Sequence, residues 1–498
     1  MTQSTRTRLL AIAIDAAEPT FVRHLIDEGE MPALASLSRQ GTWLRVKSPA
    51  YVGSGAVWPT FMSAQSPESH GVYGEWLWDA GTMSLSRYHG NDLEPFWKEL
   101  VDGGISVGVL DVPFMPLIGL ANGFEISEWG PHDILEARTQ IAPESIAPIV
   151  EENSPHPLQK RIQLTGPDDY RNLELLGDAC LQGIKRRGET ARALLAATGV
   201  DFGLIAFTEI HHSAHYLWHH VEPSHPVYAR NGVGTLSETR PTLIEIFREL
   251  DRQIGALIEE VGAEARVIIF SLHGMQPAHG TPAFLPSLLC EMGLAKLADW
   301  NSQTWRERTM SWFGRLKRSL PAPLKTIYYK LMPTNLTFQL AQPTMLPAYD
   351  WSRTKAFALP TDQHGWVRVN LIGREASGIV APGQYEILCN EWEQAFRQLS
   401  SIDGQSLVRD VIRTSKTVDA AMSQGLPDLV IHWADAVFAP NLRIAGSSLT
   451  PQFAGMKYMG QHGLEGFCIV SEQDACRDDH VRAEDMHLLI KQLLNGSH

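Results

Sequence analysis

Cysteine is scarce in this chain of 498 residues. Its five cysteines, Cys180, Cys290, Cys389, Cys468 and Cys476, are an odd number at wide spacings with no CxxC pair. That weighs against a disulfide framework or a zinc ribbon and points to reduced thiols, hence to a cytoplasmic protein. Positive charge is also in deficit, with 42 Lys and Arg against 56 Asp and Glu for a net charge of -14. Such a balance repels polymeric nucleic acid, although a local basic patch can still recruit an anion. Arg6 and Arg8 precede LLAIAI much as in a secretion signal, but Asp15 ends that run too early for a signal h-region. No uninterrupted apolar stretch reaches membrane-spanning length, so no transmembrane segment is expected and the chain reads as soluble. Internal repeats and low-complexity tracts are lacking too.

What is present is a large globular composition, 44% hydrophobic, enough to bury one large core or two. Leu9–Ile14 suits a buried parallel strand, and 20–39 follows with helical spacing at Phe21, Leu25, Leu34 and Leu37. Strand-like runs recur at 105–110, 202–207 and 267–270, separated by helical or loop material, which predicts an α/β protein with a mainly parallel sheet covered on both faces. Ligands in such sheets bind beyond the carboxyl ends of strands. Asp15, Glu209 with His211, and His273 all lie just past such ends.

A composition shift begins near Trp300, where Arg306, Arg308, Arg315, Lys317, Arg318, Lys325 and Lys330 interleave with aromatic residues. Residues 291–345 therefore read as a basic, aromatic-containing inserted cap, with 1–290 and 346–498 as the α/β core. Its aromatics suit packing on that core, and its charges either face solvent or close over an anionic substrate or membrane surface. The regular pattern returns after Tyr349, with VRVNL as a strand and GREASG as a turn.

Several residues could carry chemistry. Ser54 lies in GSGAVWP, where small residues let a ligand approach the backbone and Pro59 suits the first turn of a helix. Read alone, it is either a nucleophile at a helix start or a cap. Asp15 at a strand end needs a cation, hydrogen bonds or water, and a metal or an Asx-turn would each supply them. In TEIHHSAHYLWHH, His211, His215 and His219 are four apart and share one helical face at metal-ligand spacing, whereas His212, His219 and His220 read as surface imidazoles. His273 in SLHG and His462 in GQHG sit beside glycines at strand exits. Each of these two, alone, reads as either a structural histidine or a ligand.

The order of these pieces resembles the type I phosphodiesterase and nucleotide pyrophosphatase branch of the alkaline phosphatase superfamily. The shared segments are Asp15, MPALASLSRQG at 31–41, Ser54 ahead of AVWPTFMSAQSPESHG, His211 with His215, SLHGM at 271–275, and His462. The likeness covers most of 8–285 and 350–470. It implies an alkaline-phosphatase-like fold and a two-metal site. His211, His215 and His462 would hold one ion, and Asp15, His273 and the Ser54 hydroxyl the other. His70 in the PESHG block reads as structural. Two positions depart from the family pattern: His211 stands where the family has the aspartate of D-x-x-x-H, and Leu272 where it has that of S-D-H-G. Leu272 cannot ligate, and Glu18 or Glu209 are the acids near enough in sequence to compensate.

The resemblance further implies a metal-dependent hydrolase of phosphate esters, diesters or nucleotide-like pyrophosphates, acting through a Ser54 nucleophile, a phosphoseryl intermediate and an oxyanion contact from the Gly55 amide. One or two zinc ions are expected, with manganese or another divalent ion accepted by the same donors. The substrate would be a small anionic phosphate ester, and homo-oligomerisation stays open. A sulfatase is disfavoured because Ser54–Trp58 lacks the proline and arginine of a formylglycine site. A phosphonate hydrolase or phosphomutase-like enzyme is the nearest relative reading. A binding or regulatory protein that kept the fold and lost the chemistry is the rival from another class, with Leu272 its main support.

Overall fold

All six residues of Leu9–Ile14 are buried in strand β1. Successive strand residues point to opposite faces, so Leu10, Ile12 and Ile14 enter one apolar core and Leu9, Ala11 and Ala13 the other. A strand covered by helices on both sides has no use for polar alternation, which is why LLAIAI is continuous. The computed structural model describes residues 7–496 apart from 89, 91–92, 131, 133–138, 161, 163, 165–168, 224, 226–239, 279–280, 300–344, 362, 439–440, 450–452, 455–457, 474–475 and 477. Nearly all of the expected basic insert, 291–345, lies outside the described residues.

The chain divides into two compact units, the first comprising 1–70, 89–279 and 456–498 and the second 71–88 and 280–455. In chain order the later strands of the first unit are β2 (Thr42–Lys47), β3 (Val107–Leu110), β4 (Gly123–Ser127), β5 (Gln140–Ala142), β6 (Phe202–Phe207), β7 (Arg266–Ser271), β8 (Met275–Pro277), β9 (Gly460–His462), β10 (Glu465–Val470) and β11 (His480–Arg482). All but β8 and β9 form a nine-stranded mixed sheet ordered β11-β2-β10-β7-β1-β6-β3-β4-β5. β1 is parallel to both neighbours, β6 and β7, and β3 is parallel to β6 and β4. The antiparallel pairings are those of β10 with β7 and β2, and of β5 with β4. The expected α/β architecture is thus present.

The helices of this unit are placed by ordinary end chemistry. The span 20–39, read as one helix, is two: α1 (Pro19–Asp27) and α2 (Pro32–Gln40). Gly29 at φ +78° turns the chain between them, and each helix starts on a proline whose missing N–H costs nothing there. Glu18 caps α1 through the Phe21 amide, while α2 is capped from afar, the Asp251 carboxylate accepting from the Ala33 and Leu34 amides at 2.9 Å each. α3 (Val57–Ser63) packs in the core that contains Leu9. α4 (Tyr170–Thr198), α5 (Glu209–Leu217) and α6 (Leu243–Val261) contribute to the core that contains Leu10, and α6 opens with a capping box of Thr242 and Glu245.

The second unit has its own four-stranded antiparallel sheet, ordered Ala356–Leu359, Gly365–Val369, Leu429–Trp433, Val408–Arg413. The strand read in VRVNL is Gly365–Val369 of this sheet. Asp428 pins this unit from within, accepting from Arg374, the Tyr385 hydroxyl and the Val369 amide. The units exchange chain at 279/280 and 455/456 rather than at the edges of the basic segment.

A buried ionic network sits at the carboxyl ends of β3 and β6. Arg187 of α4 is fully buried and donates to Asp111, just after β3, at 2.6 Å and to Glu209, just after β6, at 2.8 Å. His156 reaches the same Glu209 oxygen at 2.9 Å. Burial alone would raise the Glu209 carboxyl, but Arg187 and His156 hold it at about 2. Removing the cation strands two buried carboxylates, which costs about 3–5 kcal/mol. Arg187→Met is expected to lower stability by that amount in urea unfolding, and adding Asp111→Asn should recover part of the loss.

Candidate metal centre

β7, β1 and β6 are adjacent and parallel, so their carboxyl ends bring Asp15, His273 and the start of α5 together. Asp15 directly follows β1 and is 1% exposed. It does not cap α1, since Glu18 does. Its Oδ1 accepts from the Trp58 indole N–H of α3 at 3.0 Å and lies 3.3 Å from His273 Nε2. Its Oδ2 lies 3.2 Å from His211 Nδ1 and 3.2 Å from His132 Nδ1.

The second cluster forms where α5 meets the ribbon of β8 and β9. His211 and His215 are one helical turn apart, and the pairing of Met275 with His462 delivers the third imidazole from the far end of the chain. The Nε2 atoms of His211, His215 and His462 stand 2.8, 2.8 and 3.1 Å apart. Glycine makes this approach possible: a Cβ on Gly460 would come within 2.5 Å of the Ala214 carbonyl oxygen and 2.8 Å of Met275 Sδ. The ribbon is further tied by Gly463 N–H to Gly274 O at 2.8 Å and by Met459 N–H to His215 O at 2.6 Å.

Electrostatics and tautomers together ask for a cation. Burial alone would raise the Asp15 carboxyl, but His211, with contacts from His132 and His273, takes it well below the usual carboxylate range. Burial pushes His211 well below the usual imidazole range despite the attraction of Asp15. At neutral pH an ionised carboxylate therefore faces a neutral ring, and no Lys or Arg among the described residues pairs with it. A carbonyl only accepts, so His215 Nδ1 must donate to Gly460 O at 2.8 Å and His273 Nδ1 to Gly274 O at 3.0 Å. A neutral imidazole that donates from Nδ1 presents a lone pair at Nε2, the atom that here faces the imidazole triangle from His215 and Asp15 Oδ1 from His273. Acceptors meeting acceptors in a buried site suit a metal ion. The triangle edges are a few tenths of an ångström inside the roughly 3.3 Å that four-coordinate nitrogen bonds of about 2.0 Å would set. Small ring movements cover that difference, so these residues fit divalent ions.

The other sequence expectations divide. Ser54, half-buried, opens a 3-10 turn (Ser54–Ala56) that contains Gly55 and leads straight into α3, one turn ahead of Trp58. Pro59 sits in the first turn of α3. Neither Glu18, which caps α1, nor Glu209, held by Arg187, is free to replace a missing carboxylate. Leu272 is 1% exposed in the core with Leu9. His70 hydrogen-bonds Thr60 at 2.9 Å, and burial pushes it down to about 4. His212 and His219, read as surface imidazoles, are buried, His212 because α5 is packed against α4, α6 and β9, and His219 in the 3-10 turn (Trp218–His220) that follows α5. His219 turns from the His211 face and sits with His220 and His225, at ring separations of 4.5 and 6.1 Å.

Sequence reasoning missed Trp58 and His132. Trp58 is four residues beyond Ser54 and carried no polar signal of its own. His132 follows Gly130-Pro131 shortly after β4. It offers the same glycine-flanked, strand-exit setting that singled out His273 and His462.

The sequence profile of the type I phosphodiesterase / nucleotide pyrophosphatase family matches residues 9–441. No curated protein has a matching sequence. Among solved structures, phosphonoacetate hydrolase from Sinorhizobium meliloti 1021 in complex with phosphonoformate is similar with a TM-score of 0.54 at 14% identity, over 98% of this chain and 96% of that one. Its complex with phosphonoacetate gives a TM-score of 0.50 at 13% identity, over the same shares of the two chains, 98% and 96%. Human ectonucleotide pyrophosphatase / phosphodiesterase 5 gives 0.44 at 10%, over 98% and 95%. At these identities the structural likeness is one of fold.

Trp58 is a neutral donor that fixes Asp15 Oδ1, and partners of this kind typically change metal affinity about 10- to 100-fold. Trp58→Phe keeps an aromatic ring and removes only the N–H. Zinc titration of this variant should show affinity lowered by about that factor, with the far-ultraviolet circular dichroism of the parent.

Proposed function

The chain belongs to the type I phosphodiesterase / nucleotide pyrophosphatase family, and on that premise we propose that it is a metal-dependent hydrolase of small anionic phosphate esters, diesters or nucleotide-like pyrophosphates, with Ser54 as nucleophile. The observation that carries this reading is the convergence of Asp15, His132, His211, His215 and His462 on two ligand groups at one end of the sheet. His211, His215 and His462 would hold one divalent ion. Asp15, with His273 and the Ser54 hydroxyl, would hold the other. Zinc suits the imidazole-rich donors, and manganese is the alternative.

Bound there, such ions supply Lewis-acid polarisation of a phosphoryl oxygen and acidify a nearby hydroxyl. The chain's own part begins with Ser54, set by the 3-10 turn one helical turn ahead of Trp58. Its hydroxyl loses a proton to solvent, its Oγ bonds to phosphorus, and the ester bond to the leaving alkoxide breaks, the alkoxide taking up a proton. Water then cleaves the phosphoseryl bond and restores the serine. The Gly55 amide, next in the same turn, would donate to a phosphoryl oxygen. Asp15 stays ionised and orients His273 and His211, while Trp58 holds Asp15.

No helix among the described residues is long and apolar enough to cross a membrane. The five cysteines are all free thiols, which supports the cytoplasmic reading. The rival reading, a binding protein that kept the fold, draws on the apolar burial of Leu272.

The decisive measurement is metal content together with hydrolysis of bis(p-nitrophenyl) phosphate. Bound divalent ion with turnover supports the enzyme, and a metal-free, inert protein supports the binder. Ser54→Ala should cut turnover by roughly 10³-fold or more while retaining the metal. Unchanged turnover would remove Ser54 from the nucleophile's role.

A further inference from the structure

Resting on that reading, we infer that His132 is a metal ligand, making the Asp15 site a carboxylate–imidazole site joined to the three-histidine site through His211. The geometry is specific. His132 Nδ1 and His211 Nδ1 both stand 3.2 Å from Asp15 Oδ2. Among the described residues, neither that oxygen, buried in a residue 1% exposed, nor His211 Nδ1 has a hydrogen bond of ordinary geometry, which leaves both atoms facing the space between the rings. Two ring nitrogens and a carboxylate oxygen thus converge within a span that one ion would bridge. His211 belongs to both groups, its Nδ1 facing Asp15 and its Nε2 facing His215 and His462. His211 would thus offer one nitrogen to each group. With an ion only on the three-histidine side, Nδ1 keeps its proton and points it at Asp15.

His132 is held as a ligand needs to be held. Its loop is anchored two residues earlier, where the Trp129 and Gly130 amides donate to Asp111 at 2.8 and 2.6 Å, and the Thr208 hydroxyl donates to Gly130 O at 3.2 Å. Asp111 is itself fixed by Arg187. The His132 ring stacks on His211 with centroids 4.7 Å apart and planes at 19°, and meets Phe114 edge-on at 5.1 Å. Three elements therefore fix one imidazole against a buried carboxylate, in a position that none of the family's ligands occupies in this sequence.

The stack supplies the competing role: His132 could serve only as a ring packed on His211. His132→Phe separates the two, keeping the stack and the Phe114 contact while removing both nitrogens. Zinc stoichiometry and affinity are measured by calorimetric titration and elemental analysis on the parent, His132→Phe and His215→Ala, with circular dichroism and thermal unfolding as folding controls. Cobalt-substituted protein gives an independent optical readout of the ligand set. The expected result is about two ions per chain in the parent, with one site weakened at least about 100-fold in His132→Phe and the other in His215→Ala. Two ions of unchanged affinity in His132→Phe, or a single parental ion that His132→Phe keeps and His215→Ala loses, would overturn the assignment and leave the hydrolase reading intact. A parent that binds no divalent ion would overturn both. If His132→Phe does not fold, His132→Asn, smaller and lacking the imidazole, takes its place with the same outcomes.

Discussion

The organisation of this protein turns on one carboxylate. Asp15 ends the central strand of a sheet buried on both faces, and the strand's parallel neighbours carry the chain to the same edge. An isolated ionised carboxylate in such a place is prohibitively costly. It is tolerated because an indole N–H and three imidazoles surround it, a donor set that suits a divalent cation. The apolar strand brings the charge into the interior, the tight turn at His273 faces it from β7, and α5 brings His211 from β6. Each of these follows from adjacency in the sheet, so strand order is itself the main determinant of the site.

The site is poor in negative charge for its size. Leu272 and His211 stand at positions where the family pattern has aspartate, and the buried acids nearby, Glu209 and Asp111, are already neutralised by Arg187. One carboxylate among several imidazoles favours borderline ions such as zinc over hard, oxygen-seeking ions such as magnesium or calcium. Under the proposed function it would also leave more of the ions' positive charge uncompensated, which would favour anionic substrates over neutral ones.

Much of this was legible in the sequence because it is local. LLAIAI ending at Asp15, the four-residue spacing of His211 and His215, and the glycines beside His273 and His462 are patterns a strand end or a helix face imposes directly. What was not legible depends on partners far along the chain. The helix break at Glu28–Met31 shows locally in Gly29 and Pro32, yet the cap that stabilises the second helix comes from Asp251. Burial of His212 depends on α4 and α6 closing over α5. His132 becomes meaningful only once β4 lies two strands from β6 and the loop after it reaches back over Asp15. The second unit's separate sheet was not legible for a related reason: VRVNL has the composition of any buried strand, and nothing local says which sheet it joins.

The Asp111–Arg187–Glu209 network is best understood through position rather than stability. Buried ion pairs are often no more stabilising than apolar residues of the same shape, so three buried charges and His156 are an expensive way to fill a core. Their geometry gives a reason. Asp111 holds the loop leading to His132, Glu209 lies two residues before His211, and Arg187 ties the two together through directional hydrogen bonds. An apolar cluster would fill the same volume but would let that loop and the first turn of α5 slide by fractions of an ångström. Metal ligands do not tolerate such freedom. The charged layer thus sets the separation of two imidazoles that share Asp15, and its desolvation cost is offset by the precision it gives to the site above it.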